Sequence, residues 1–198
     1  MDRYFIIYKP FQVISGFTAE KGKACLKDFF DLPPDVYPLG RLDFDSEGLL
    51  LLTNDKSLNY PVLHPSFAHE REYWVQVEGD ITQRAVDQLA SGVSISIDGK
   101  NYLTKKAHSS RFPAEPAVPE RFPPIRFRKN IPTSWISLIL TEGKNRQVRK
   151  MTAAVGFPTL RLLRYRISAL SIQSMLPGDL VEMNKREFCH KLGLDALI

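Results

Sequence analysis

Three acids at alternate positions, Asp43, Asp45 and Glu47, follow Gly40-Arg41-Leu42 and lead through Gly48 into four leucines, Leu49 to Leu52. Alternating acids closed by glycine match positions one, three, five and six of a calcium loop. The match then fails, because position twelve is Asn54 rather than a bidentate glutamate. The leucines also belong in a core, not in a coordination shell. On spacing alone the stretch reads as an acidic surface turn ahead of a strand.

A second segment carries the opposite charge: Glu142-Gly143-Lys144-Asn145-Arg146-Gln147-Val148-Arg149-Lys150-Met151, continuing to Gly156. Asn145 suits a helix N-cap, and Gly156 followed by Pro158 suits a stop, so a helix is expected over 145–155. At about 100° per residue, Val148, Met151, Thr152 and Val155 share one stripe that faces a core. Arg146, Arg149 and Lys150 fall on the other side, with Arg149 nearest the boundary. Helix amides and clustered cations together suit phosphate. A solvated charged face is the alternative, but no acid falls within the helix to pair with these cations. RNA or another anion is the favoured partner.

These segments need elements to hold them. Residues 4–8 are aromatic and β-branched and read as a strand stopped by Pro10. Residues 23–30 suggest a short helix ended before Pro33-Pro34, and 49–53 a buried strand closed by Asn54-Asp55. Residues 72–78 alternate, with Tyr73, Val75 and Val77 on one face. Thr82 is a fitting N-cap for a helix over 82–89. Residues 112–132 hold six of the 14 prolines and no apolar period, which predicts a long loop or arm carrying Arg121, Arg126, Arg128 and Lys129. Beyond it, 135–140 and 160–167 read as strands. Interspersed strands and helices with hairpin-like spacing predict an α+β fold around a mostly antiparallel sheet.

Composition sets the limits. Hydrophobic residues make up 43% of the 198 and charged residues 25%, as in ordinary globular proteins. No apolar run reaches the roughly 20 residues of a membrane span, and the N-terminal stretch is too short for a signal peptide, so a cytoplasmic location is expected. Cys25 and Cys189 stand far apart without a CxxC pair, and the four histidines lack metal-binding spacings, so no metal is expected. Between Arg121 and Arg166 lie eleven of the 27 Lys and Arg but one acid, Glu142, which leaves 16 bases and 21 acids for the remainder. Such asymmetry suits one face turned to a polyanion, and equally a solvated basic face.

Taken together the motifs resemble a known family. Gly40-Arg41-Leu42-Asp43 with Ser46-Glu47-Gly48-Leu49-Leu50 is similar to the signature of the ribosomal RNA pseudouridine synthases of the small-subunit synthase A superfamily. Lys9-Pro10, Arg71-Glu72-Tyr73 and the 142–151 segment resemble its other motifs, in the same order. Residues 132–135 and 156–161 are most like a branch acting on 23S rRNA. Many relatives begin with an RNA-binding S4 domain, whereas here residues 4–9 already resemble the catalytic domain. Ser168 stands where relatives often have glycine.

The resemblance implies a pseudouridine synthase fold, with a mixed, largely antiparallel sheet in one domain of two subdomains. The subdomain boundary is expected near residues 65–72, with the catalytic cleft between the subdomains. It implies isomerisation of a 23S rRNA uridine without a cofactor, and no sequence feature demands more than a monomer. Asp43 would be the catalytic carboxylate, with Asp45 and Glu47 as turn residues. Arg149 would be the cation that keeps Asp43 ionised, Tyr73 the ring stacked on the target base, and Arg41 the side chain that fills the space of the flipped nucleotide. Lys144, Arg146, Lys150, Arg161 and Arg164 would contact phosphates. Two rivals remain. A non-catalytic RNA-binding domain shares the basic segment but gives no reason for Gly40 to Asp43, and a metal-dependent hydrolase would use Asp43, Asp45 and Glu47.

Overall fold

The chain folds as two units, each with its own core. One comprises Met1–His69 with Arg164–Ile198, the other Glu70–Leu163. The structure, a computed structural model, describes residues 1–20, 22–125, 128 and 130–197.

The first unit opens with β1 (Tyr4–Lys9), then the short strands β2 (Val13–Ile14) and β3 (Ala24–Cys25), β4 (Tyr37–Leu39), β5 (Glu47–Thr53) and the single-turn helix α1 (Asn59–Leu63). Every residue of β1 and β5 is buried. That burial explains why both read as unbroken apolar runs rather than alternations. They pair antiparallel with Tyr4 opposite Thr53 and Lys9 opposite Gly48. Phe5, Ile7, Leu50 and Leu52 meet Val13, Leu26, Phe30 and Val36 in one core.

The second unit contains β6 (Arg71–Glu78), α2 (Gln83–Ser91), the hairpin β7 (Ser94–Ile97) and β8 (Lys100–Leu103), β9 (His108–Arg111), β10 (Thr133–Leu140) and α3 (Gln147–Ala154). Strand β10 lies antiparallel between β6 and β9. Val75 and Val77 from β6 pack with Ile136 and Leu138 from β10, Val86 and Leu89 from α2, and Val148 and Met151 from α3. Thr82 caps α2 as its sequence suggests, its hydroxyl accepting from Ala85 N at 3.3 Å. Strand β11 (Thr159–Ile167) starts in this unit and ends in the first. There β12 (Leu170–Ser171) pairs with its end, β13 (Leu180–Met183) pairs with β1, and α4 (Lys185–Leu192) follows. The Phe188 ring of α4 packs 5.4 Å from that of Tyr4.

Two expectations need correcting. No helix covers 23–30: Ala24 and Cys25 are taken up by parallel pairing with Val13 and Ile14. That leaves a single 3-10 turn, Leu26–Asp28, where the Asp28 carboxylate accepts from Cys25 N at 2.8 Å. The basic helix begins at Gln147, not Asn145, and its N-cap is Arg146 in a left-handed conformation, φ 52°. Within 112–132 no described residue belongs to a strand or helix. Arg126 and Lys129 of that stretch lie outside the described residues.

Candidate active site

Asp43 stands on a turn that is fastened on both sides. Before it, the Ser15 hydroxyl donates to Leu42 O at 2.7 Å and accepts from Leu42 N at 3.0 Å. After it, Gln12 N donates to Phe44 O at 2.9 Å, and Ser46 N donates to Asp43 O at 3.0 Å to close the turn. Ser15, Leu42 and Ser46 are buried, whereas Asp43 is partly exposed and Arg41 exposed. The backbone is therefore fixed while the carboxylate stays reachable, which is the arrangement that spares reorganisation during reaction.

The fastening starts from a buried amine. Lys9 has no exposed surface, and its Nζ donates to Pro10 O at 2.9 Å and Val13 O at 2.8 Å. These bonds shape the 10–13 segment that carries Gln12 towards Phe44 and leads to Ser15. Burial pulls the Lys9 amine down to about 7, against Glu47, the strongest opposing charge, and against Asp45 and Asp43; Arg164 pushes in the same direction as burial. A neutral amine still has two N–H donors for the two carbonyls. Gly48, at φ 105°, is needed where it stands, because a Cβ there would collide with the Arg164 backbone carbonyl. The Arg164 side chain turns inward, and its Nε donates to Leu49 O at 2.8 Å.

In the second unit a buried acid organises the basic segment. The Glu142 carboxylate accepts from the Tyr102 hydroxyl, from Lys105 N at 2.9 Å and from Gln147 Nε2 at 2.6 Å. Gln147 Oε1 in turn accepts from Lys144 N at 2.9 Å, while Gln147 N donates to Lys144 O at 3.1 Å. Among the described residues no side chain caps α3; instead Gln147 ties the turn ahead of the helix through Lys144, and residues 143–146 form an exposed loop. The Lys144 ammonium lies 5.1 Å over the Tyr102 ring. Arg149 and Lys150 are partly exposed on α3.

The residues singled out in the sequence are distributed over both units. Arg41, Asp43 and Arg164 belong to the first; Tyr73, Lys144, Arg146, Arg149, Lys150 and Arg161 belong to the second. Tyr73 lies on β6 opposite Leu138 and packs partly buried against the core. Arg161 and Arg164 are each 5% exposed. Arg161 Nη2 donates to Pro119 O at 2.8 Å, and its guanidinium lies 5.9 Å from the Trp135 ring. Such burial gives both arginines a task within the fold that a surface phosphate contact does not have. Among the described residues no group of three or more His, Cys, Asp or Glu is placed to hold a metal ion. Ser15, Glu142 and Gln147 were not marked as functional by their types. Lys9, the last residue of β1, stands out in the sequence only as part of the Lys9-Pro10 motif of the family resemblance.

Several known proteins are similar to this chain. The sequence model of the RNA pseudouridylate synthase family matches residues 3–154. The chain is 43% identical to ribosomal large subunit pseudouridine synthase E of Vibrio vulnificus, over 92% of this chain and 76% of that one. It is 45% identical to the protein of the same name from Xanthomonas campestris pv. campestris, over 88% and 91%. A crystal structure of a pseudouridylate synthase superposes on 97% of this chain and 74% of its own with a TM-score of 0.76 at 24% identity, so the two share the pseudouridine synthase fold. With that fold, that match over most of its length and relatives at this identity, the chain belongs to the RNA pseudouridine synthase family, isomerases that convert uridine to pseudouridine within an RNA chain.

Proposed function

We propose that this protein converts one uridine of 23S rRNA to pseudouridine and that Asp43 is its catalytic residue. The observation that carries the assignment is the double fastening of Leu42 and Phe44 around a reachable Asp43 carboxylate. The relatives named for the large ribosomal subunit support the substrate. The reaction breaks N1–C1′, turns the base and joins C5 to C1′. C5 gives up a proton and N1 takes one, so no redox partner is consumed. The Asp43 carboxylate acts on the sugar or the base as nucleophile or general base.

By its resemblance to the family, Arg149 offsets the charge of Asp43, Tyr73 stacks on the target base and Arg41 occupies the gap left in the RNA. Lys144, Arg146 and Lys150, on the loop and helix organised by Glu142, meet phosphates. The enzyme acts as a monomer in the cytoplasm on free or partly assembled large-subunit rRNA. Among the described residues no helix is long and apolar enough to cross a membrane.

The test is pseudouridine mapping on 23S rRNA treated with wild-type protein, Asp43→Asn and Asp45→Asn. Asp43→Asn is expected to abolish turnover with RNA binding retained, and Asp45→Asn to cost far less. Turnover by Asp43→Asn within tenfold of wild type would remove Asp43 from the chemical step. Equal losses in the two variants would favour paired carboxylates over a single one.

A further inference from the structure

The first unit carries exposed aromatic surface that neither its core nor the Asp43 turn uses. Tyr60 of α1 is 63% exposed, and Phe67, in the 3-10 turn Pro65–Phe67, is 43% exposed. Their rings are not scattered. The Tyr60 ring stacks on His64 with centroids 4.6 Å apart, and Phe67 meets Tyr60 edge-on at 5.8 Å. Phe67 also lies parallel to His69 at 6.2 Å. The set is held from beneath: His69 is buried, with Nε2 donating to Pro61 O at 2.9 Å and Nδ1 3.2 Å from the Ser168 hydroxyl. His64 Nδ1 stands 2.7 Å from Ser66 Oγ.

This surface borders the catalytic turn. Leu63, between Tyr60 and His64, would lie 3.1 Å from a Cβ at Gly40, the first residue of Gly40-Arg41-Leu42-Asp43. Asn59 Nδ2 donates to the Tyr37 hydroxyl at 3.2 Å, tying α1 to β4, which leads into that segment. Rigid, exposed π faces next to a turn that acts on a nucleobase have an evident use. Once the target base leaves its stack, its neighbours expose their own faces, and aromatic side chains take up such faces with little regard to base identity.

We propose that Tyr60 and Phe67, braced by His64, form a platform on which an unpaired base flanking the target uridine stacks. The proposal rests on the reading of Asp43 as the catalytic residue. Four side chains fall well short of the roughly 20–30 residues per side of a stable protein interface, so a nucleotide is the better occupant.

The experiment uses the full chain and unmodified 23S rRNA transcribed in vitro. RNA affinity is measured by filter binding, alongside KM and kcat, for Tyr60→Ala, Phe67→Ala, Tyr60→Trp and Tyr60→Leu. Loss of one stacking face is expected to weaken binding and raise KM about tenfold in each alanine variant. Tyr60→Trp is expected to bind as wild type does, and Tyr60→Leu to resemble Tyr60→Ala. Unchanged affinity in both alanine variants would overturn the platform, as would rescue by leucine equal to rescue by tryptophan. So would a wild-type self-association in sedimentation that Tyr60→Ala abolishes, since the face would then join protein copies. Affinity is read without turnover, so a failure of the Asp43 assignment shows in the Asp43→Asn rate alone and leaves this result intact.

Discussion

The Ser15 hydroxyl grips Leu42 through both of its backbone polar groups, donating at 2.7 Å and accepting at 3.0 Å. One side chain from another part of the unit thereby fixes the residue next to Asp43. Ser15→Ala leaves a buried amide and a buried carbonyl without this partner, at a cost of about 1–3 kcal/mol. The melting temperature is expected to fall. A displaced carboxylate is expected to slow single-turnover isomerisation at least ~10-fold, while RNA affinity stays near that of wild type. Rates equal to wild type in a visibly destabilised variant would separate the clamp from catalysis.

Lys9 makes stability depend on pH in a definite direction. Burial holds its amine at about 7 in the folded protein, whereas in the unfolded chain it titrates near ~10.4. Between these values the unfolded chain carries a proton that the folded one does not. Stability contributed by this group therefore rises as pH increases from about 7 towards 10 and is flat outside that window. Lys9→Met is expected to lower stability through the loss of its bonds to Pro10 and Val13, and to remove this rise. Urea midpoints for both proteins at pH 7 and pH 9.5 measure it. Parallel pH profiles would show that Lys9 keeps its proton when folded.

What the sequence made legible, and what it hid, follows from the range of the interactions. β1 and β5 were visible because complete burial leaves an unbroken apolar run, and β6 because Val75 and Val77 alternate with polar neighbours. The β7–β8 hairpin went unseen since Ile95 is its one buried residue. Asn145 had the right type for a cap, but Arg146 took that position, and the turn ahead of α3 is held by Gln147, which is bonded to Glu142, itself bound to Tyr102 and Lys105 some 40 and 37 residues away. No local pattern records such bonds. The burial of Arg161 and Arg164 was hidden for the same reason: a guanidinium goes inside when distant carbonyls receive it. Asp43 itself looked like a surface acid by spacing, and the catalytic role proposed for it comes from resemblance to the family.

Glu142 is expected to matter for RNA affinity without touching RNA. Glu142→Ala removes the acceptor for three donors and frees the loop that presents Lys144 and Arg146. Binding to 23S rRNA is expected to weaken. The slope of log K against log salt should fall by roughly 0.7–0.9 for each phosphate that the protein no longer neutralises. Coupling gives a sharper check. Replacing Arg146 and Lys150 by alanine is expected to cost less affinity in the Glu142→Ala background than in wild type. Strictly additive losses between about 50 and 200 mM salt would show that the loop holds its shape unaided.

Arg149 differs from its basic neighbours in what its loss is expected to do. Arg146 is exposed at the start of α3, whereas Arg149 is only partly so and sits beside the buried Val148. A cation that offsets a catalytic carboxylate contributes to the reaction itself, and a phosphate contact contributes to binding. Arg149→Ala is therefore expected to reduce the single-turnover rate far more than RNA affinity, and Arg146→Ala to do the reverse. Arg149→Lys separates charge from shape: lysine keeps the charge but loses the planar pair of donors, so a partial recovery of rate is expected. Single-turnover rates and filter-binding affinities for the three variants decide the matter. Should Arg149→Ala lose rate and affinity in equal proportion, Arg149 belongs with Arg146 and Lys150 among the phosphate contacts, and Asp43 takes its cation from elsewhere.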